Sequence, residues 1–147
     1  MNPEMITYLG DPKFPRGLRN NNPGNIRRAK FNWTGKITWS VSKDKEFEQF
    51  HKLWYGVRAL IKLLLTYFVK HKLNTVSQII NRWAPDTENN TEAYIASVCV
   101  LTGFKKNQVL VPNTDTLKKL VYAITDHENG YKNAIPEAVF DYAIKNI

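Results

Sequence analysis

A glutamate at the end of an amphipathic helix is the residue of this chain best placed to do chemistry. The apolar residues before it recur at steps of three and four, which predicts one buried helix face. They are Leu117, Leu120, Val121 and Ile124. Glu128 follows on the same face, and Gly130 predicts the end of the helix. Burial and the negative end of the helix dipole both disfavour an ionised carboxylate. The position is therefore typical of an acid that donates a proton.

The same pattern leaves a second interpretation of Glu128 open. A helix end can fray, and the carboxylate would then reach solvent beyond Gly130. Asp126 is only two residues away, so it points to another face and is not a close partner on the helix.

A polar turn is predicted between residues 16 and 28. Three consecutive asparagines precede Pro23-Gly24, a combination that does not continue a helix or a central strand. Asparagine amides both donate and accept hydrogen bonds. Asn20, Asn21 and Asn25 are therefore candidates for binding a ligand rich in hydroxyl and amide groups. The alternative is that these side chains only satisfy the backbone of their own loop.

Residues 31–50 predict extended chain, either a small β-hairpin or a three-stranded sheet. Aromatic and β-branched residues surround Gly35, and a second run alternates around Phe47. Glu46 and Glu48 would share the face opposite Phe47, as candidates for a second carboxylate or as the wet face of an edge strand.

Other kinds of chemistry receive little support from the sequence. His51, His71 and His127 are scattered, and Cys99 is the only cysteine. No pair of residues has the spacing of a zinc site, and no glycine-rich loop grips a phosphate. We therefore expect no metal and no cofactor.

The chain as a whole predicts a mainly α (α+β) single domain over residues 1–147, with an irregular arm at residues 1–15. A wide apolar stripe over residues 57–69 predicts the central helix. Further helices are predicted after Thr75, after Asn89 with its capping-box partner Glu92, and from Pro136.

The net charge of +8 predicts an anionic partner for a chain of 147 residues. Charge alone does not choose between nucleic acid, a membrane surface, an anionic polymer and a merely solvated basic surface. The first nine residues lack the pattern of a signal peptide, and no apolar run is long enough to span a bilayer. We therefore expect a chain made in the cytoplasm.

Ordered motifs run through the chain from Arg16 onward. They are residues 16–27, Trp33-Thr34-Gly35, Gly56-Val57-Arg58-Ala59-Leu60, Arg82-Trp83-Ala84-Pro85, Glu88-Asn89-Asn90-Thr91 and His127-Glu128-Asn129-Gly130. In these motifs the chain resembles a family of small phage virion proteins. Members are described as structural proteins or as lysozyme-like enzymes that degrade peptidoglycan. The resemblance implies peptidoglycan and other virion proteins as partners, and a location in the virion or in the host cytoplasm before release to the cell wall.

Residues 123–131 are also similar to the catalytic helix end of lytic transglycosylases. This second resemblance implies a lysozyme-like fold with Glu128 as the catalytic residue. Gly17-Leu18-Arg19-Asn20 and Tyr94-Ile95 look like motifs that follow the glutamate in those enzymes, yet here they precede it. A circularly permuted fold would explain this order. It predicts that the first and last thirds of the chain meet at the active site.

The resemblances together predict an enzyme that cleaves the glycan strand of peptidoglycan, as a lytic transglycosylase or a muramidase. Glu128 would act as general acid and base, with Glu46 or Glu48 as the second carboxylate of a hydrolase. Sugar-binding residues would be Asn20, Asn21, Asn25, Trp33, Trp83, Tyr94 and Tyr131. The alternative is a non-catalytic virion structural or nucleic-acid-binding protein, to which Arg27, Arg28 and Lys30 beside Trp33 would contribute positive charge.

Overall fold

The computed structural model describes residues 2–87 and 89–147, so Glu88 of the motif above lies outside the described residues. Within these ranges, a short 3-10 helix at Pro3–Met5 is followed by six α-helices. They are α1 (Arg16–Arg19), α2 (Leu53–Val69), α3 (Val76–Trp83), α4 (Thr91–Thr102), α5 (Thr114–Asn129) and α6 (Glu137–Lys145). The predicted mainly α class is confirmed.

The central helix of the main core is α2. Leu53, Val57 and Leu60 are fully buried, and the stripe continues through Ile61 and Leu64. This helix packs against α5 and α6, while α4 packs against α3 and α5. Burial of most of the predicted apolar stripe therefore joins α2 to α5 and α6, although Val69 at its end is 62% exposed.

Caps at the helix ends fix where α5 begins and where Glu128 must lie. The Asn113 side chain accepts from the Thr116 backbone N–H at 2.9 Å, and α5 ends at Gly130 with φ +59°. The cap of α4 is Asn90, whose side chain accepts from Ala93 N, so the cap predicted at Asn89 was one residue early.

The hairpin predicted over residues 31–50 does not form a regular ladder. The described residues of this segment instead form isolated antiparallel bridges, Lys36 with Phe50 and Phe47 with Arg27. Regular pairing is interrupted because backbone N–H groups that could pair with a neighbouring strand donate to a side chain instead. The Glu46 and Phe47 N–H groups each donate to Asp44 Oδ1 at 2.9 Å.

The N-terminal arm is largely irregular, as predicted, but it packs against the end of the chain. The Tyr8 ring stacks on Phe14 with centroids 4.1 Å apart. Its hydroxyl donates to the Ala134 carbonyl oxygen at 2.7 Å. The arm therefore holds the segment that follows α5.

Helix α2 and the polar turn approach each other so closely that only glycine fits at position 56. A Cβ at Gly56 would lie 1.8 Å from the Asn21 carbonyl oxygen, far inside van der Waals contact. The small residue thus sets the distance between the central helix and the turn.

We predict that Gly56→Ala destabilises the protein by about 2 kcal/mol or more, because the turn must move away from α2. Urea unfolding followed by circular dichroism measures this loss. Lys62→Ala on the same helix is the control and should change the free energy of unfolding by less than about 0.5 kcal/mol. Equal stability of the two variants would contradict the close approach.

Candidate active site

Glu128 lies in the last turn of α5, half-buried, with both carboxylate oxygens engaged. Asn25 Nδ2 donates to Oε1 at 2.9 Å, and the Tyr94 hydroxyl donates to Oε2 at 2.7 Å. Asn25 belongs to the polar turn and Tyr94 to α4, so three distant segments converge on one carboxylate. The first and last thirds of the chain therefore meet at Glu128, the residue around which the active site was expected.

Tyr94 is the buried support of this carboxylate. Its side chain is 1% exposed, and its hydroxyl accepts from Trp83 Nε1 at 3.1 Å while it donates to Glu128. Burial, reinforced by the charge of Glu128, raises the pKa of Tyr94 well above its ordinary value. The phenol therefore remains a donor, and the His127 ring covers it with centroids 3.8 Å apart.

A cleft of about 280 Å³ opens beside Glu128, Asn25 and Trp83. Its other described lining residues are Gly24, Ile26, Arg27, Phe47, Leu63, Tyr67, Ala84 and Asn89. Among these described residues, Glu128 is the only carboxylate. Aromatic surfaces with a few fixed polar groups are typical of sites that bind small polar molecules with apolar faces.

Asn129 joins the polar turn to the end of α5. Its Nδ2 donates to the Pro23 carbonyl oxygen at 2.9 Å, and its Oδ1 accepts from Leu18 N at 3.2 Å. A Cβ at Gly17 would lie 2.5 Å from this Oδ1. The sequence did not reveal that Asn129 connects the two segments, although this residue directly follows Glu128.

Two of the asparagines predicted to bind sugar are buried within the turn. The Asn20 amide donates to Asp44 Oδ2 at 2.8 Å, and its oxygen accepts from Gln49 at 2.8 Å. The Asn21 amide donates to Thr7 and to the Phe50 carbonyl oxygen. Their hydrogen bonds therefore shape the turn, and of the three candidates Asn25 alone lines the cleft.

Asp44 is a structural carboxylate that the sequence did not reveal. Arg16 donates to both of its oxygens, at 2.7 and 2.9 Å, and Asn20 and Phe47 add further donors. The hydrogen bond from Arg16, helped by these donors, holds the pKa of Asp44 well below its ordinary value despite burial. The ionised Asp44 carboxylate therefore holds the polar turn in place.

Glu46 and Glu48, the predicted second carboxylates, occupy different environments. Glu48 is fully buried, and its carboxylate accepts from Lys36 Nζ at 3.1 Å and Trp39 Nε1 at 2.9 Å. Glu46 is exposed and pairs with Arg16 and Arg27. Neither lies among the described lining of the cleft, because Glu48 faces the interior and Glu46 faces the two arginines.

The remaining predicted aromatic residues divide between the cleft and other surfaces. Trp83 lines the cleft. Trp33 is 8% exposed and packs with Ile26 and Phe50 in a second apolar cluster. Tyr131 is 40% exposed, lies 5.5 Å from the Phe14 ring and lines a different cavity.

Comparison with known proteins places the chain among bacteriophage proteins. No family model matches it. Protein P5 of Pseudoalteromonas phage PM2 is 42% identical over 132 residues, which cover 83% of this chain and 80% of that protein. The chain belongs to the family of Protein P5. In the described part of the chain, no helix has the length and apolar character needed to cross a membrane.

We predict that acid sensitivity of folding depends on Asp44. Its pKa is lower in the folded chain, so the unfolded chain binds more protons and stability falls as the pH drops below the unfolded value of about 4. In Asp44→Asn, the free energy of unfolding should be lower near neutral pH and should fall less steeply in acid. Urea unfolding across this pH range measures both effects.

Asp141→Asn, which changes an exposed carboxylate on α6, is the matched control and should keep the wild-type slope. A wild-type slope in Asp44→Asn would contradict the role of this carboxylate.

Proposed function

We propose that this protein cleaves the glycan strand of bacterial peptidoglycan, with Glu128 as general acid and base. The observation that carries the proposal is a half-buried carboxylate whose oxygens are oriented by Asn25 and Tyr94 at the edge of a cleft. The resemblance of residues 123–131 to the catalytic helix end of lytic transglycosylases suggests this substrate, and the family includes a phage protein. The net charge of +8 would keep the protein on an anionic cell wall.

In the proposed reaction Glu128, protonated, donates its proton to the glycosidic oxygen as the bond to the muramyl C1 breaks. Positive charge of oxocarbenium character develops on the sugar. The ionised Glu128 then takes the proton of the muramyl 6-hydroxyl, whose oxygen closes onto C1. The products are a shortened strand with a 1,6-anhydro end and a free 4-hydroxyl, and no water is consumed.

The cleft favours this single-carboxylate reaction over hydrolysis. A hydrolase of the usual kind needs a second carboxylate across the sugar. Glu128 is the only carboxylate among the described cleft residues, while Glu48 is committed to Lys36 in the interior. Trp83 and Tyr67 line the cleft and would offer apolar surface to a sugar, while Asn25 would offer an amide beside the reacting bond.

The other side chains around Glu128 have positioning roles. Asn25 and Tyr94 hold the carboxylate in one orientation, and Trp83 in turn orients the Tyr94 hydroxyl. Such fixed geometry lowers the cost of arranging groups in the transition state. A lysozyme-like domain carried with other virion proteins is the setting that we propose for this chemistry.

We predict that Glu128→Gln lowers the rate of peptidoglycan clearing by about 100-fold or more, because general acid–base catalysis contributes that much. Turbidity of purified peptidoglycan and a zymogram measure the rate. Glu92→Gln, an exposed glutamate of α4, is the matched control and should clear at the wild-type rate.

Absence of clearing by the wild type, or equal clearing by Glu128→Gln, would reject the enzyme. Either result would favour the non-catalytic alternative, in which the hydrogen bonds of Glu128 serve only to join α4, α5 and the polar turn.

We also predict that Tyr94→Phe lowers the clearing rate by about tenfold while the protein stays folded, because one hydrogen bond to the carboxylate is lost. The matched control is Tyr142→Phe, which removes a phenol that donates to Glu4 at 2.8 Å on the surface. Clearing rates and near-ultraviolet circular dichroism are compared for the two variants. Equal rates would contradict a positioning role for Tyr94.

A further inference from the structure

A second and larger cavity, of about 490 Å³, lies between α5 and the segment that leads to α6. We call it the α5–α6 cavity. It is lined by Lys118, Tyr122 and Asp126 of α5 and by Tyr131, Lys132 and Ile135 of the following segment, among others. Glu128 and Asn25 do not line it, so it is separate from the cleft described above.

The wall of the α5–α6 cavity is fixed by hydrogen bonds. The Tyr122 hydroxyl donates to the Ile135 carbonyl oxygen at 3.1 Å, and the Tyr8 hydroxyl donates to that of Ala134 at 2.7 Å. Gly130 and Asn133 adopt positive φ values of 59° and 54°, which shape the turn between them. The cavity is therefore preformed, as small-molecule sites usually are.

Charged side chains in this cavity fall into two groups. Lys118 pairs with Glu137 at 2.6 Å, and Lys119 pairs with Asp115 at 3.1 Å. Asp126 and Lys132 form no ion pair or side-chain hydrogen bond with any described residue, although Asp126 is half-buried. The lining thus retains one uncommitted anion and one uncommitted cation.

We propose that the α5–α6 cavity binds a short peptide, such as a dipeptide, through its terminal ammonium and its terminal carboxylate. Asp126 binds the ammonium and Lys132 binds the carboxylate. Leu101 and Tyr131, which line the cavity and are 42% and 40% exposed, offer apolar surface to the side chains of the peptide. A cavity of about 490 Å³ falls within the range of sites for ligands larger than a single amino acid. The binding is independent of any reaction at Glu128.

The test is a nuclear magnetic resonance titration of the full chain with the dipeptide alanylalanine. Amide signals of residues 125, 126 and 132 should shift and saturate. Free alanine tests the size of the ligand, and the acetylated and amidated dipeptide, which lacks both charges, tests its chemistry. Absence of shifts, equal binding of the blocked dipeptide, or binding of alanine as tight as that of the dipeptide would overturn the proposal.

Substitutions test which side chain binds each charged group of the ligand. Asp126→Asn and Lys132→Gln should each weaken alanylalanine binding by about tenfold, since each removes a charge-assisted hydrogen bond. Asp126→Asn should not weaken binding of N-acetylated alanylalanine, which keeps its carboxylate but has no ammonium. Asp141→Asn and Lys145→Gln on α6 are the matched controls and should bind as wild type does.

Glu128→Gln should also bind as wild type does, so loss of catalysis and loss of this site are distinguishable. Unchanged affinity in both Asp126→Asn and Lys132→Gln would overturn the assignment.

Discussion

The arrangement of the site depends on the hydrogen bonds of the Asn129 side chain. Its amide bonds to the Pro23 carbonyl oxygen and its oxygen to the Leu18 N–H, so the end of α5 and the polar turn become one unit. The contact requires glycine at position 17, where a Cβ would lie 2.5 Å from Asn129 Oδ1. The hydrogen bonds of Asn129 therefore bring Asn25 close to Glu128, although the two residues are far apart in the sequence.

The polar turn is held from the other side by the buried Asp44 carboxylate and by backbone carbonyl groups. The Asp44 carboxylate accepts hydrogen bonds from Arg16 and Asn20. The Asn22 amide donates to the backbone carbonyl oxygens of Ile26 and Glu48 at 2.9 and 3.0 Å. Each of these hydrogen bonds satisfies a buried polar group, and leaving such a group without a partner is costly. Of the asparagines in the turn, Asn20, Asn21 and Asn22 therefore serve the structure, and Asn25 lines the cleft.

Much of the helical fold could be predicted from the sequence, since apolar spacing places α2 and α5 with little ambiguity. The same spacing put Glu128 on the side of α5 that meets Tyr94. The role of each asparagine could not be predicted, because the same amide side chain can either stabilise a loop or bind a ligand. Asp44 was also missed, since its partner Arg16 lies 28 residues away. The predicted hairpin was reduced to isolated bridges for a local reason, because the nearby Asp44 side chain accepts from the Glu46 and Phe47 backbone N–H groups.

The central claim is that Glu128 cleaves the glycan strand as a single carboxylate and without water. Mass spectrometry of the soluble products formed from purified peptidoglycan in oxygen-18 water tests it most directly. The account predicts muropeptides that end in 1,6-anhydromuramic acid and carry no oxygen-18. Reducing ends labelled with oxygen-18, or no soluble product from the wild-type protein, would contradict it.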